Sequence, residues 1–340
     1  MKNDVYGLTR ADFEKYFLSV DEKPSKAKII IERLYREKIS SFNEMTDINA
    51  VTIEKLNRDF YFGNLKILDK KEDETVAKFL FELSDGNKIE TVVMKHDYGN
   101  GLCISTQVGC NMGCAFCESG RLKKIRNLTA AEMVEQVITA LDNIENGISH
   151  IVVMGIGEPF DNYDNLIRFI DIVADQRGLD IGYRHITVST CGIVPKIEEY
   201  LSRENQSNLA ISLHAADNDT RTKLMPINKA YSIDDIIRTI KKSDNVKKKI
   251  TFEYIMLDGI NDSKSDALNL CELLCGINCY VNLIPYNETN AGAFKASSKE
   301  KIAAFYDILK KHKTKVTVRR EFGASINAAC GQLRSVWENG

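Results

Sequence analysis

From Leu102 onward the sequence repeats one unit six times, a short apolar run followed by a stretch of helical periodicity. Strands are expected over 102–106, 150–154, 185–189, 209–213, 251–257 and 280–284. Helices are expected between and after them, over 130–141, 165–174, 194–201, 233–242, 265–274 and 299–311. Alternation of this kind points to an α/β fold, here a partial (β/α)6 barrel, whose functional loops lie at the carboxyl ends of the strands. A last strand over 315–319 leads into a tail that carries Cys330. Upstream the pattern differs. Residues 1 to about 40 read as helical, with S-K-A-K-I-I-I-E-R-L-Y-R-E-K behind Ser25, and a second helix is expected over 49–60. Runs 76–83 and 88–94 alternate like a hairpin turned at Ser84-Asp85-Gly86-Asn87. The expected division is a small N-terminal helical accessory domain, 1–75, and a core, 76–340, that begins with an antiparallel extension.

Just after the first barrel strand stands Q-V-G-C-N-M-G-C-A-F-C-E-S-G, a C-x3-C-x2-C run of Cys110, Cys114 and Cys117. Electron-transfer clusters of the [4Fe–4S] type normally take four cysteines. Three leave one iron without a protein ligand, and that iron can bind a substrate. The natural candidate is S-adenosylmethionine (SAM), chelating through its amino and carboxylate groups, and the run is the radical-SAM signature. A zinc site would want a fourth Cys or His close by, but the next are His150 and Cys191. Gly109, Gly113 and Gly120 interleave the run and suit a loop wrapped closely around a cluster. The other polar features fall at the same barrel mouth. Gly155-Ile156-Gly157-Glu158-Pro159 follows the second strand, Ser189-Thr190-Cys191-Gly192 closes the third, Ser212-Leu213-His214 closes the fourth, and Asn287 follows the sixth.

Composition narrows the setting. The 340 residues contain no apolar stretch long enough for a membrane span, and M-K-N-D-V-Y-G-L-T-R lacks an apolar signal region. Nine cysteines without an export signal favour a reducing cytoplasm over a disulfide framework. The net charge of −2 excludes a globally basic nucleic-acid binder. Basic runs occur at Arg121, Lys123, Lys124 and Arg126, at Lys241, Lys242 and Lys247 to Lys249, and at Lys310 to Arg320. Only the first adjoins the chemistry and is a candidate for phosphate contact. Cys271, Cys275 and Cys279 read as core packing, since the first two share a helical face with Leu270, Leu273 and Leu274.

Together these residues resemble the RlmN/Cfr family of radical-SAM adenine methyltransferases. The similarity runs from E-T-V-V-M at Glu90, through L-C-I-S-T-Q-V-G-C, M-G-I-G-E-P, S-L-H, L-M-P-I-N, I-M-L-D-G-I-N-D and N-L-I-P-Y-N, to A-A-C-G-Q-L at Cys330. F-N-E-M-T-D-I-N from Phe42 resembles the family's accessory domain. The cysteine run alone marks the superfamily; Cys103 seven residues upstream together with Cys330 marks the family. The resemblance implies a [4Fe–4S] cluster on Cys110, Cys114 and Cys117 and two SAM molecules per turnover. Adenine carbons 2 and 8 lack a nucleophilic lone pair, so direct methyl transfer to them has no acceptor. By resemblance, the Cys330 thiolate takes the methyl group first. A radical from the second SAM abstracts hydrogen from that S-methyl group, and the carbon radical adds to the ring. Cys103 then attacks the Cys330 sulfur, forming a transient disulfide and releasing the methylated base.

Other roles carry over by position. Glu90 matches the proton acceptor; its alternative reading is an outward carboxylate on an edge strand. Gly157 and Glu158 match the SAM-contacting turn, with the carboxylate as a receptor for the methionine ammonium. Ser189, Ser212, Leu213, His214 and Asn287 match the remaining SAM contacts, although His214 alone also reads as a satisfied core histidine. The implied substrate is an adenosine of 23S rRNA, with a tRNA adenosine as a candidate second one. A flavodoxin or ferredoxin is the implied reductant, and a monomer is expected. The G-E-P tripeptide looks like the carbon-2 branch, which is preferred; R-R-E-F-G before the tail looks like the carbon-8, antibiotic-resistance branch. Departures from the pattern are Glu118 after the third cluster cysteine, Lys123 for a glycine, Asn327 for an aspartate, and no proline after Asn287. A radical-SAM enzyme on another substrate, or an RNA binder that has lost catalysis, are the competing readings. Neither needs two accessory thiols.

Overall fold

The computed structural model describes residues 2–204, 207–243, 249–288 and 294–319; Cys330, Asn327, Lys247, Lys248 and the residues beyond Arg319 lie outside them. The front section is β1 (Asn3–Asp4), α1 (Arg10–Ser19), α2 (Lys26–Tyr35), α3 (Ala50–Asp59) and β2 (Phe60–Tyr61), with β1 parallel to β2. The helical reading of the first forty residues is therefore interrupted. Asp21 turns the chain with φ +58°, and Pro24 follows, which disfavours helix in the residue before it. Thr9 and Asp12 form a capping box on α1, and Asn49 caps α3 through the Thr52 N–H.

Next come β3 (Lys66–Glu72), β4 (Val76–Glu82) and β5 (Lys88–Met94), an antiparallel meander. Strand β3 was not expected from its sequence. K-I-L-D-K-K-E has no buried face, because it is the sheet's edge and its charges keep that edge from pairing further. The barrel then runs β6 (Gly101–Cys103), the short pair β7 (Gln107–Val108) and β8 (Arg126–Asn127), α4 (Ala130–Asn143), β9 (His150–Val153), α5 (Tyr163–Val173), β10 (Ile186–Thr190) and α6 (Val194–Ser202). It continues with β11 (Asn208–Ser212), α7 (Asn218–Leu224), α8 (Ile233–Lys242), β12 (Ile250–Met256), α9 (Lys264–Leu273), β13 (Cys279–Pro285), α10 (Lys299–Lys311) and β14 (Val316–Val318). One sheet holds ten strands in the order β14-β13-β12-β11-β10-β9-β6-β5-β4-β3. From β6 to β14 every neighbour is parallel, and β5 joins β6 antiparallel. This is the open α/β barrel that the strand–helix alternation predicted, with the antiparallel extension on its flank.

The two-residue period of the strands sorts the side chains. Ile151, Val188, Ile211, Phe252 and Val281 point outward into the core beneath the helices. Alternate positions (Cys103, Ser189, Ser212, Glu253 and Asn282) face inward, so the polar residues of otherwise apolar strands meet on the concave side. The outer core is continuous with that of the front section, where Phe13, Phe17, Ile30, Leu34 and Phe60 join the same cluster.

A buried carboxyl pair also ties the two parts together. Asp4 of β1 hydrogen-bonds Glu135 of α4, and both sit above the ordinary carboxylate range, chiefly through burial and then, for Glu135, the Asp4 charge. Gly63 leaves room for them; a Cβ there would strike both carboxyl groups. The pair must hold a proton in the folded state that the unfolded chain releases. Its stabilisation is therefore full below the ordinary carboxylate range and is lost as pH rises through the raised folded value. The melting temperature should fall by a few degrees between about pH 6 and pH 9. Glu135→Gln should flatten that slope; an equally steep profile in the variant would exclude the pair as its cause.

Candidate active site

The cysteine run sits on a loop closed at its base by the β7–β8 pair, with Gln107 opposite Asn127 and Val108 opposite Arg126. Gly109 at φ +73° passes directly under the Lys123 carbonyl, where any Cβ would collide with it. The Cys110 N–H bonds the Leu122 carbonyl (2.9 Å), and the Ala115 N–H reaches the Leu224 carbonyl of α7 (2.9 Å). The basic residues of the loop have partners inside the protein. Lys124 pairs with Asp161 (2.7 Å), Arg126 bridges Asp85 (2.6 Å) and Glu132 (2.8 Å), and Arg121 lies 3.8 Å from Glu118. Most of the expected phosphate patch thus holds the loop in shape. The carboxylate of Glu118 is buried beside Cys117.

Cys110, Cys114 and Cys117 line one cavity together with Gly157, Glu158, Ser189, Ser212 and His214. Gly157 has φ +112°, and a Cβ there would lie 2.7 Å from both the Gln107 Cβ and the Thr106 Oγ1. Only glycine lets the turn after β9 lie this close to the loop. Glu158 is 4% exposed. Its Oε1 accepts from the Phe160 N–H (3.0 Å) and the Thr190 hydroxyl (2.6 Å), and its Oε2 from the Cys191 N–H (2.7 Å). The Cys191 thiol donates as well. A carboxylate has about four acceptor positions, so an incoming ammonium would have to replace one of these donors. Burial raises Glu158 above the usual carboxylate range in spite of its donors.

Ser189 and Ser212 stand 3.4 Å apart at the ends of β10 and β11. His214 follows with φ +58°, and its Nδ1 accepts the Ile255 N–H (3.0 Å), which leaves the ring proton on Nε2. Burial, and then Arg221, lower it to about 3, so the ring is neutral. Leu213 is fully buried with its side chain in the outer core, and its N–H bonds the Glu253 carbonyl (3.1 Å). What it still offers a ligand is a carbonyl lone pair. Asn287 lies past the end of β13 and does not line the cavity.

Cys103 packs with Val76, Val92, Met94 and Ile156, opposite Val92 in the sheet register. Glu90 lies two residues from Val92 on the same face and is 3% exposed; its Oε1 meets the Lys78 ammonium at 2.7 Å. The edge-carboxylate reading therefore gives way to a buried ion pair on the concave side. Two cavity residues, and a third that bonds carbonyls of the cavity wall, escaped the sequence reading. Glu253 of β12 is buried with Asn282 on its Oε2 (2.9 Å), Arg319 reaches the Met154 and Met94 sulfurs, and Arg221 is completely buried. A lone acid in T-F-E-Y-I-M was the available signal for Glu253; R-T-K-L around Arg221 reads as an ordinary helix surface.

Residues 104–271 match the family model of the radical SAM superfamily, and residues 3–61 that of the ribosomal RNA large subunit methyltransferase N-terminal domain. The chain is 48% identical over 345 residues to a probable dual-specificity RNA methyltransferase RlmN of Listeria monocytogenes serovar 1/2a, covering 98% of this chain and 94% of that one. To the protein so named in Spiroplasma citri it is 46% identical, covering 97% of each. The chain belongs to the RlmN family of radical SAM proteins. A solved structure of a radical SAM methyltransferase from Sphaerobacter thermophilus superposes with a TM-score of 0.90 at 37% identity, over 98% of this chain and 99% of that one.

Membership in the RlmN family implies a [4Fe–4S] cluster and SAM, and the cavity fits them. Among the described residues no three His, Cys, Asp or Glu side chains converge on a single metal ion. Cysteines on a cubane bind different irons and stand farther apart than ligands of one ion, so three thiols around one cavity suit a cluster better than zinc. Burial is the largest effect and raises all three thiols, Cys110 to about 12; nearby acidic groups raise them further, while hydrogen-bond donors at Met112, Ser119 and Gly120 and the Arg221 charge act the other way. They ionise only if a cationic group replaces their protons.

Proposed function

We propose that this RlmN-family chain methylates carbon 2 of an adenosine in 23S rRNA, with a tRNA adenosine as second substrate, through a cysteine relay. One observation supports the reading: Cys103 shares an apolar cluster with Val92 and Met154, Met154 lines the cavity of the three cluster cysteines, and the buried Glu90 stands two residues from Val92 on the same strand. When bound, the cluster and SAM supply one-electron cleavage of a sulfonium and hence a hydrogen-abstracting radical. The protein's own residues do the rest. Cys330 carries the methyl group on sulfur, since a thiolate is the competent acceptor. Glu90, held by Lys78, takes the ring proton as the adduct resolves. Cys103 attacks the Cys330 sulfur, and the resulting disulfide must be reduced before the next turnover. The apolar wall around Cys103 excludes water from the thiol and favours an unstacked base over a paired one.

On this reading two SAM molecules serve each turnover, SAM meets the turn at Gly157 and Glu158, Ser189, Ser212, His214 and the backbone of Leu213, and a flavodoxin or ferredoxin supplies the electron. Residues 1–75 form the RNA-side accessory domain and 76–340 the catalytic core of a cytoplasmic monomer. Among the described residues no helix is long and apolar enough to cross a membrane.

The test is mass spectrometry of anaerobically purified protein with its iron content, followed by incubation with SAM, a reductant and 23S rRNA. About four irons per chain, S-methyl-Cys330 and 2-methyladenosine in the digest are expected. Production of 8-methyladenosine would move the chain to the carbon-8 branch. A cluster without any methyl group on Cys330 would overturn the relay.

A further inference from the structure

Arg221 of α7 has no exposed surface, and its five N–H donors meet five acceptors. Nε donates to the Leu213 carbonyl (3.1 Å), Nη1 to Asn228 Oδ1 (2.8 Å) and the Tyr231 carbonyl (3.4 Å), and Nη2 to the carbonyls of Cys191 (2.6 Å) and Ser212 (3.1 Å). All five acceptors are neutral, and no described carboxylate lies within ion-pair reach of the guanidinium. A fully desolvated cation with only dipoles around it is expensive, and proteins keep such charges paired. Two of the carbonyls it holds, those of Cys191 and Ser212, belong to residues that line the same cavity as Cys114. Cys114 is one of the three cysteines assigned to the cluster. Three thiolates exceed the positive charge of an oxidised cubane core, so the loaded site is anionic, and each electron added makes it more so.

We propose that Arg221 is the fixed counter-charge of the iron–sulfur site. It is a positioning residue that holds the carboxyl ends of β10 and β11 by their carbonyls while its charge makes the cluster easier to reduce. The inference rests on the assignment of the cluster to Cys110, Cys114 and Cys117. It asks nothing of the RNA substrate. A cation held by strand-end carbonyls cannot swing away or release its charge to water, so the compensation is present before the electron arrives.

Two variants remove the charge by different routes. Arg221→Gln deletes it. Asn228→Asp sets a carboxylate against Nη1 and cancels it in place, keeping all five bonds of the guanidinium; the Asn228 Nδ2 now donates to the Thr222 hydroxyl (2.9 Å) and to the Asn218 carbonyl and Oδ1 (3.1 Å each), so in the variant the hydroxyl must turn to donate and the Asn218 oxygens must give way. Arg221→Lys keeps the charge with fewer donors. The measurement is the midpoint potential of the reconstituted cluster, followed by EPR in redox titration without RNA. Removing a nearby cation should lower the reduction equilibrium constant at least tenfold, a shift of about 59 mV to more negative potential for one electron, in Arg221→Gln and Asn228→Asp alike. Arg221→Lys should stay near the parent. If Arg221→Gln fails to fold, Asn228→Asp decides. An unchanged potential in either folded, iron-loaded charge-cancelling variant overturns the proposal. Failure of the parent protein itself to take up iron would instead count against the cluster assignment, so the two failures are distinguishable.

Discussion

Lys78→Met should destabilise the protein by about 3–5 kcal/mol, because it leaves the Glu90 carboxylate buried without its cation. The two side chains lie on adjacent antiparallel strands, where Lys78 faces Val92 and Leu80 faces Glu90, so they meet diagonally across the sheet. Both are nearly inaccessible, with side-chain exposures of 10% and 4%. At a solvated surface such a pair contributes little. Here neither charge can turn to water when the other is removed. Replacing both, as Lys78→Met with Glu90→Leu, should recover most of the loss, since an apolar pair fits a face that already carries Val76, Val92 and Met94. Activity should not return with stability, because the proposed proton acceptor is gone. Urea melts of the single and double variants give the coupling directly. A loss below about 1 kcal/mol for Lys78→Met would place the pair in the surface class and remove the argument that Lys78 holds Glu90 in position.

How much of this was readable in the sequence depended on whether the signal was local. The βα units were legible because each strand's apolar residues and each helix's 3.6-residue period lie within one short window, and several helices, such as Ile233–Lys242 and Lys299–Lys311, fall at the expected limits. The cysteine run was legible because a fixed spacing of thiols has few other uses. Strand β3 was not, since in K-I-L-D-K-K-E only Ile67 packs against the core and Leu68 beside it is exposed, so the apolar residues show no two-residue alternation. The Lys78–Glu90 pair escaped because it depends on the register between two strands, which no single strand encodes. Arg221 escaped for the same reason in stronger form. Its surroundings in sequence are polar, and its burial depends on how the end of the preceding strand, at Ser212 and Leu213, meets the end of another strand at Cys191, thirty residues upstream. The loop lysines and arginines show the reverse error. A cluster of charge beside the chemistry suggests a polyanion, yet Lys124 and Arg126 are partnered by Asp161, Asp85 and Glu132 from the second βα loop, the hairpin and α4.

Glu158→Leu should cost several kcal/mol and abolish SAM binding, although the carboxylate need not touch SAM. The Thr190 hydroxyl and the N–H groups of Cys191 and Phe160 all end on this one side chain. Each is buried, and each left without an acceptor costs about 1–3 kcal/mol. The variant therefore releases the end of β10, where Ser189 and Cys191 line the cavity, from the turn after β9, where Gly157 does. Glu158→Gln separates charge from geometry. Its amide keeps the shape and one acceptor oxygen, but its NH2 must face either the Cys191 N–H or the Phe160 N–H, and donors opposed in this way lose one bond each. A smaller loss, about 1–3 kcal/mol, is expected, with SAM affinity reduced in proportion to the melting temperature. The decisive comparison is thermal melting of the two apoproteins beside equilibrium SAM binding by the iron-loaded forms. If Glu158→Leu melts with the parent but fails to bind SAM, the carboxylate acts on the ligand directly. If stability and binding fall together, and fall less in Glu158→Gln, the glutamate acts by fastening two strand ends around a site whose ligand contacts are made by its neighbours.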